Sequence, residues 1–161
     1  AADAAAGGAR GGGVGAAGKA EYIGPMKPVM QTRYGGLDGP AAEQGNCLAA
    51  CIASIFEVPL EEVPDLLERE WWAVLTRWCQ RRGTTPMYFS PVKGRLFPET
   101  YYILGVKART LANPGDGHAV VAWGETIAHD PNPKMPRGTW EDYEAEDATM
   151  FLHYWPMVQC P

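Results

Sequence analysis

The stretch GNCLAACIASIF, residues 45–56, predicts a short buried helix that begins at a cysteine. Asn46 is a favourable N-cap residue, and Pro59 limits the helix at its other end. The larger apolar side chains recur with the spacing of one helix face: Leu48, Cys51, Ile52 and Ile55. Alanine and serine fill most of the other positions, so the helix can pack closely. We therefore predict a central helix with Cys47 in its first turn.

Two more helical segments are predicted after this helix. Residues 60–63 suit a single turn before Pro64, and residues 65–82 suit a longer amphipathic helix that ends at Gly83. The apolar stripe of the longer helix comprises Leu67, Trp71, Val74, Leu75 and Trp78. The tryptophans of this region, Trp72 included, are expected to be core residues.

The pattern changes to strands and turns after Gly83. Strands are predicted at 87–90, 101–106, 118–123, 126–129 and 150–154, with a short strand at 29–32 upstream of the first helix. Gly124 and Glu125 between two apolar runs predict a hairpin turn, and Asp130 followed by Pro131 ends its second strand. Helices come first and an antiparallel sheet second, which is typical of an α+β fold.

The N-terminal residues differ in composition from the rest of the 161-residue chain. Nine of the first twenty are alanine and seven are glycine, which leaves too few large apolar side chains to offset the entropy of ordering them. We expect residues 1–25 to be a flexible leader or linker and residues 26–161 to form one domain. Such a leader can tether the domain to a larger assembly.

Charge and hydropathy exclude several classes of partner. Fourteen Lys and Arg residues against 19 Asp and Glu give a net charge of −5, and basic residues cluster only at Arg81 and Arg82, so no nucleic-acid partner is expected. No apolar run approaches the roughly 20 residues that span a bilayer, and the N-terminus lacks the regions of a signal peptide. We expect a soluble, cytoplasmic protein with no membrane partner, and we expect the acidic run at 141–147 to be a solvated face.

The four cysteines are too few for the disulfide scaffold of a small secreted domain. Cys47 and Cys51 lie one helical turn apart, a spacing that fits neither a redox CxxC motif nor a paired zinc knuckle. Free thiols are therefore expected. Cys51 and Cys79 are expected to be small core residues, and Cys160 has no assigned role.

Cys47 is the best candidate for a reactive thiol. A thiol nucleophile must be partly ionised, and the unpaired N–H groups at a helix N-terminus lower its pKa. His118, at the mouth of a predicted strand beside a glycine-rich loop, is the best candidate for its base. If strands 118–123 and 126–129 pair as a hairpin, Asp130 lies beside His118 and can orient the imidazole and stabilise its cation.

Other interpretations of these residues stay open. His129 could be the third member of a Cys-His-His triad, as in some peptidoglycan-cleaving hydrolases, although it is expected to face the opposite side of its strand. A metal site built from Cys47, His118 and His129 lacks recognisable ligand spacing, so no metal is predicted. Each residue also has a purely structural interpretation: a core cysteine, a hydrogen-bonded histidine and, for Asp130, a turn aspartate.

Three motifs in this order resemble the papain-like cysteine peptidases. They are GNCLAACIAS at 45–54, GHAVV at 117–121 and HDP at 129–131. Within that superfamily the chain is most similar to the bacteriocin-processing peptidases, and it also resembles short proteins encoded in tailed-phage genomes. The resemblance covers about residues 28–133. It implies a papain-like α+β fold with the nucleophile at the start of a buried helix.

The resemblance also implies a glutamine upstream of the cysteine that helps to bind an oxyanion. At the position where the family carries it, this chain has Ala41. Gln31 takes the role if residues 34–43 are an inserted loop, and Gln44 is the alternative. We prefer Gln31, because the end of a strand positions a side chain more firmly. The backbone N–H of Cys47 would be the second donor.

These expectations combine into a hydrolase that cleaves a peptide or isopeptide bond of a peptide or protein substrate. Cys47, His118 and Asp130 would act through an acyl-enzyme, and the reaction requires no cofactor. The alternatives are a peptidoglycan amidase or endopeptidase, an acyltransferase that passes the acyl group to an amine, and a catalytically inactive binding module, such as a phage virion component.

Overall fold

The structure is a computed structural model that describes residues 26–36, 38–67, 69–90, 100–107, 117–134, 142–143 and 145–153. The predicted leader and Cys160 lie outside these residues. The described residues form two α-helices, one 3₁₀ turn and a five-stranded antiparallel sheet, with the helices first in the chain. The predicted α+β organisation is confirmed. Neither of the described helices has the length and hydropathy that crossing a lipid bilayer requires.

The helical half contains α1 (Cys47–Phe56), the 3₁₀ turn (Leu60–Glu62) and α2 (Trp71–Gln80). The bounds of α1 match the prediction. The predicted start of α2 at residue 65 is wrong, because the Asp65 carboxylate accepts the N–H of Leu67 at 3.1 Å and forms a local turn there. Leu66, rather than the predicted Leu67, is buried in the core.

The sheet consists of β1 (Thr84–Phe89), β2 (Tyr101–Lys107), β3 (Gly117–Trp123), β4 (Thr126–His129) and β5 (Ala145–His153). Its strand order is β1-β5-β2-β3-β4. Both β1 and β5 begin earlier than predicted, and β5 takes in residues 145–147 of the acidic run. Asp147 fits there because it lies over Gly105, which has no side chain, and accepts the hydroxyl hydrogen of Tyr88 at 3.0 Å.

The central strands of the sheet carry buried residues on both faces. One face packs against the helices, and its core includes Ile52, Leu75, Trp78, Ile103, Val121 and Phe151. The other face has its own apolar cluster, which includes Tyr102, Leu104, Val106, Val120, Ala122 and Met150. Alternate residues of β2 and β3 therefore contribute to two cores, which explains the continuous apolar runs of their sequences. Cys51 and Cys79 are buried, as predicted.

The β3–β4 hairpin sets up the candidate site. Gly124 turns the chain with a φ of 54°, a conformation that favours glycine. The strands pair from Trp123 with Thr126 to Val121 with His129, and they contain a bulge. Because the strands are antiparallel, the start of β3 lies beside the end of β4. The first residues of β3 and the residues that follow β4 are thereby brought together next to α1.

Candidate active site

Cys47 is the first residue of α1, and its thiol forms a hydrogen bond with His118. Burial acts to raise the pKa of the thiol. The hydrogen bond and positive charge of His118, together with the backbone N–H groups of Ala119 and Leu48, outweigh burial and lower the pKa below its ordinary value. The helix start and β3 thus both stabilise a thiolate at this position.

His118 connects the thiol to a carboxylate. Its Nε2 lies 2.9 Å from Oδ1 of Asp130, and the two side chains are only 7% and 10% exposed. A carboxylate only accepts hydrogen bonds, so Nε2 carries the hydrogen and Nδ1 remains for Cys47. Burial acts to lower the pKa of His118, but the hydrogen bonds and negative charges of Asp130 and Cys47 raise it to about 9. The arrangement favours a thiolate–imidazolium pair at neutral pH.

Asp130 is itself held in one orientation by two further donors. The backbone N–H of Asn132 donates to Oδ1 at 2.8 Å, and the hydroxyl of Tyr143 donates to Oδ2 at 3.0 Å. Both oxygens of the carboxylate are therefore fixed around the His118 bond. Tyr143 is buried and comes from the segment that leads into β5.

Sequence reasoning missed both of these partners of Asp130. Asn132 could have been found, because an aspartate followed by proline and asparagine is typical of a turn in which the side chain accepts a nearby N–H. Tyr143 carried no such signal. It reaches Asp130 only through the tertiary fold.

Residues 29–33, which we call the Gln31 segment, form a third side of the site. These residues are not a strand of the described sheet, so the short strand predicted at 29–32 is wrong. Their hydrogen bonds go to α1 and to the end of β4 instead. The N–H of Val29 donates to Oγ of Ser54 at 2.8 Å, and the N–H of Gln31 donates to the Pro131 carbonyl at 3.0 Å.

His129 also holds the Gln31 segment in place through a hydrogen bond. Its Nε2 donates to the carbonyl of Val29 at 2.9 Å, and burial lowers its pKa. Asp130, and not His129, is therefore the residue that the geometry places on His118. A Cys-His-His triad is correspondingly disfavoured.

Gln31 and Gln44 have different surroundings. The side chain of Gln31 is buried, with the residue 5% exposed; its Nε2 donates to the Arg33 carbonyl at 2.9 Å, and its Oε1 has no partner among the described residues. Nε2 of Gln44 donates to the Gly39 carbonyl at 2.9 Å, within its own loop. Gln31 is therefore buried beside the Arg33 backbone, whereas Gln44 is bonded within its own loop.

The loop between Gln31 and Cys47 closes on itself at its base. The N–H of Gly35 donates to the Glu43 carbonyl at 2.9 Å, and the N–H of Gly45 donates to the Gly35 carbonyl at 2.7 Å. A side chain on Gly35 would place its Cβ 2.5 Å from the Glu43 oxygen, so only glycine fits. The chain thus leaves at Gly35 and returns at Gly45 as a loop closed at its base.

Asn46 does not act as the predicted cap. It occupies the N-cap position, but no N–H among the described residues of α1 donates to its side chain. Its Oδ1 instead accepts the N–H groups of Thr32 and Arg33, each at 3.0 Å. The residue that precedes Cys47 is thus bonded to the Gln31 segment.

Within the described part of the chain, no group of three or more His, Cys, Asp and Glu residues is arranged to hold a metal ion. Protein-family models and curated proteins give no match to this chain. The function is therefore inferred from the arrangement of the chain's own residues.

Proposed function

We propose that the protein is a cysteine-dependent hydrolase with a papain-like fold, which cleaves peptide or isopeptide bonds. One observation carries the proposal: the Cys47 thiol at the start of α1 is bonded to His118, whose second nitrogen lies 2.9 Å from Asp130. A nucleophile, a base and a group that orients the base are the elements of acyl transfer through a covalent intermediate.

The first half of the reaction forms a thioester. The Cys47 thiolate attacks the carbonyl carbon, a C–S bond forms, and the carbonyl electron pair moves to the oxygen. The N–H of Cys47 and the amide of Gln31 donate to that oxyanion. The His118 imidazolium then gives its proton to the leaving amine as the C–N bond breaks.

The second half returns the enzyme to its starting state. Neutral His118 takes a proton from water, and the resulting hydroxide attacks the thioester carbonyl. The C–S bond breaks, the carboxylic acid product leaves, and the thiolate–imidazolium pair is restored. Asp130 stabilises the imidazolium throughout and does not itself take the proton.

Alkylation by iodoacetamide from pH 5 to 9, mapped by peptide mass spectrometry, tests the activated thiol. We expect selective labelling of Cys47 well below pH 8 and loss of that labelling in His118→Ala. Cys51 and Cys79 in the same sample are internal controls, because both are buried and burial raises their pKa. His129→Gln is the matched histidine control, since glutamine can still donate to the Val29 carbonyl.

Labelling of Cys47 no faster than that of free cysteine would overturn the catalytic triad. It would favour the alternative of a binding module without catalytic activity. If the thiol is activated, peptide libraries with Cys47→Ala as the inactive control test hydrolysis. Zymography on cell-wall material identifies a peptidoglycan hydrolase, and added amine acceptors identify an acyltransferase.

A further inference from the structure

The side chain that precedes the nucleophile is directed away from its own helix. Asn46 starts α1, yet Oδ1 accepts from the N–H groups of Thr32 and Arg33, and Nδ2 donates to Oγ1 of Thr32 at 3.1 Å. Three hydrogen bonds thus join this residue to two consecutive residues of the Gln31 segment.

Because Asn46 does not cap α1, the N–H groups of the first helical turn are not used by its side chain. A capping asparagine normally accepts the N–H of the second or third helical residue, here Leu48 or Ala49. In this protein the Leu48 N–H instead helps to lower the pKa of the Cys47 thiol. The first turn of α1 therefore serves the anion of the nucleophile rather than its own cap.

The side chain of Gln31 is linked to Asn46 through Arg33. The N–H of Arg33 donates to Asn46, and the carbonyl of the same residue accepts from Nε2 of Gln31. The covalent path from Gln31 to Cys47 runs through the whole loop that closes at Gly35, so chain connectivity holds the glutamine only loosely. The bonds from Asn46 supply a short connection between the Gln31 segment and the start of α1.

We propose that Asn46 is a positioning residue: it holds the backbone of Thr32 and Arg33 and thereby orients Gln31 for the oxyanion of the Cys47 reaction. This inference rests on the proposed function, because it assigns Gln31 to the oxyanion of that reaction. In this role Asn46 acts through Gln31 and does not touch the substrate.

Two reagents that react with the same thiol separate this role from thiol activation. Iodoacetamide is attacked at a saturated carbon, so its reaction forms no oxyanion. p-Nitrophenyl acetate is attacked at a carbonyl, and its reaction passes through an oxyanion that Gln31 would stabilise. The ratio of Cys47 acylation rate to alkylation rate therefore reports on the oxyanion site alone.

We expect Gln31→Ala and Asn46→Ala each to lower this ratio by about tenfold or more, with alkylation unchanged. Asn46→Asp should keep the ratio, because its two oxygens still accept from Thr32 and Arg33. Both absolute rates should fall in that variant, since the added negative charge raises the pKa of the thiol. Gln44→Ala, the matched glutamine control, should leave both rates unchanged.

Asn46→Ser covers the case in which Asn46→Ala does not fold. Serine caps helices well, so the variant should fold. Its side chain is too short to reach Thr32 and Arg33, so the ratio of acylation rate to alkylation rate should still fall. A normal ratio in both Asn46→Ser and Asn46→Ala, with a lowered ratio in Gln31→Ala, would overturn the inference and leave the hydrolase proposal standing. Cys47 that reacts with neither reagent faster than free cysteine would instead overturn the proposed function.

Discussion

Nε2 of His118 lies 2.9 Å from Oδ1 of Asp130, and the hairpin that joins them buries both side chains. The two residues are 12 positions apart in the sequence, and antiparallel pairing of β3 and β4 brings their strand ends together. Around this pair the fold places the helix start that carries Cys47, the Gln31 segment and Tyr143.

The pH dependence of hydrolysis should be bell-shaped. As the pH rises, Cys47 loses its proton at a pKa below the ordinary value, and the rate increases. Near pH 9 His118 loses the proton that it must give to the leaving amine, and the rate falls. Alkylation needs no proton donor, so its rate should not fall above pH 9. Hydrolysis that keeps rising through pH 9 would contradict the assignment of His118 as the acid.

Asp130→Asn should weaken the activated thiol. Without the carboxylate, the pKa of His118 falls, and the imidazolium that stabilises the thiolate is less populated. We expect alkylation of Cys47 at pH 6 to slow by about tenfold and hydrolysis to fall by about 10²–10⁴. Asp147→Asn is the matched control, because that carboxylate is bonded to Tyr88 and not to His118. Equal losses in both variants would count against a specific role for Asp130.

Tyr143→Phe should cost stability as well as activity. The change removes a donor to the buried Oδ2 of Asp130, and hydrogen bonds to charged groups contribute about 1.5–3 kcal/mol to the free energy of unfolding. Urea denaturation measures this loss. Tyr88→Phe removes a similar bond to Asp147, but Tyr88 is 57% exposed, so we expect a loss below about 1 kcal/mol. A smaller loss for Tyr143→Phe than for Tyr88→Phe would refute the prediction.

Gly35→Ala should open the base of the loop between Gly35 and Gly45. The new Cβ would lie 2.5 Å from the Glu43 carbonyl oxygen, so the backbone must move, at a cost of about 1–3 kcal/mol. The control is Gly117→Ala, since no described atom lies within 4 Å of a Cβ there. Chemical denaturation of the two variants gives the comparison. Similar stabilities would mean that the loop closes by other contacts.

Ser54→Ala should loosen the Gln31 segment from α1. It leaves the Val29 N–H without its acceptor, which should lower the free energy of unfolding by about 1–3 kcal/mol. Thr76→Ala is a close control, because the Thr76 hydroxyl bonds to the carbonyl one turn back in α2, as the Ser54 hydroxyl does in α1. Of these two hydroxyls, the Ser54 hydroxyl is the one that also accepts an N–H from a distant segment, that of Val29. Thermal or urea unfolding that shows equal losses would argue against that bridge.

Local patterns in the sequence were sufficient to predict the helix that carries Cys47 and the hairpin that carries His118 and leads to Asp130. The 3.6-residue spacing of apolar side chains defines α1, and Gly124 between two apolar runs defines the β3–β4 hairpin. Since a hairpin brings its strand ends together, the position of Asp130 beside His118 follows from the same local pattern. The catalytic roles of these residues stay predictions.

The remaining features depend on contacts between distant parts of the chain. The early start of β5 depends on Asp147 fitting over Gly105, and no periodicity in the sequence reveals that contact. Asn46 is a residue type that commonly caps helices. Its side chain nevertheless bonds to Thr32 and Arg33 and not to the N–H groups of α1. Propensity describes what a residue can do locally, and tertiary hydrogen bonds decide which option it takes.

The way in which the site is assembled determines when the thiol becomes reactive during synthesis. Cys47 emerges from the ribosome well before His118, Asp130 and Tyr143, and until they dock it has the ordinary thiol pKa of about 8.5. The N-terminal half of a nascent chain therefore carries an unactivated cysteine. The lowered pKa of the Cys47 thiol is therefore complete only once the hairpin has docked against α1.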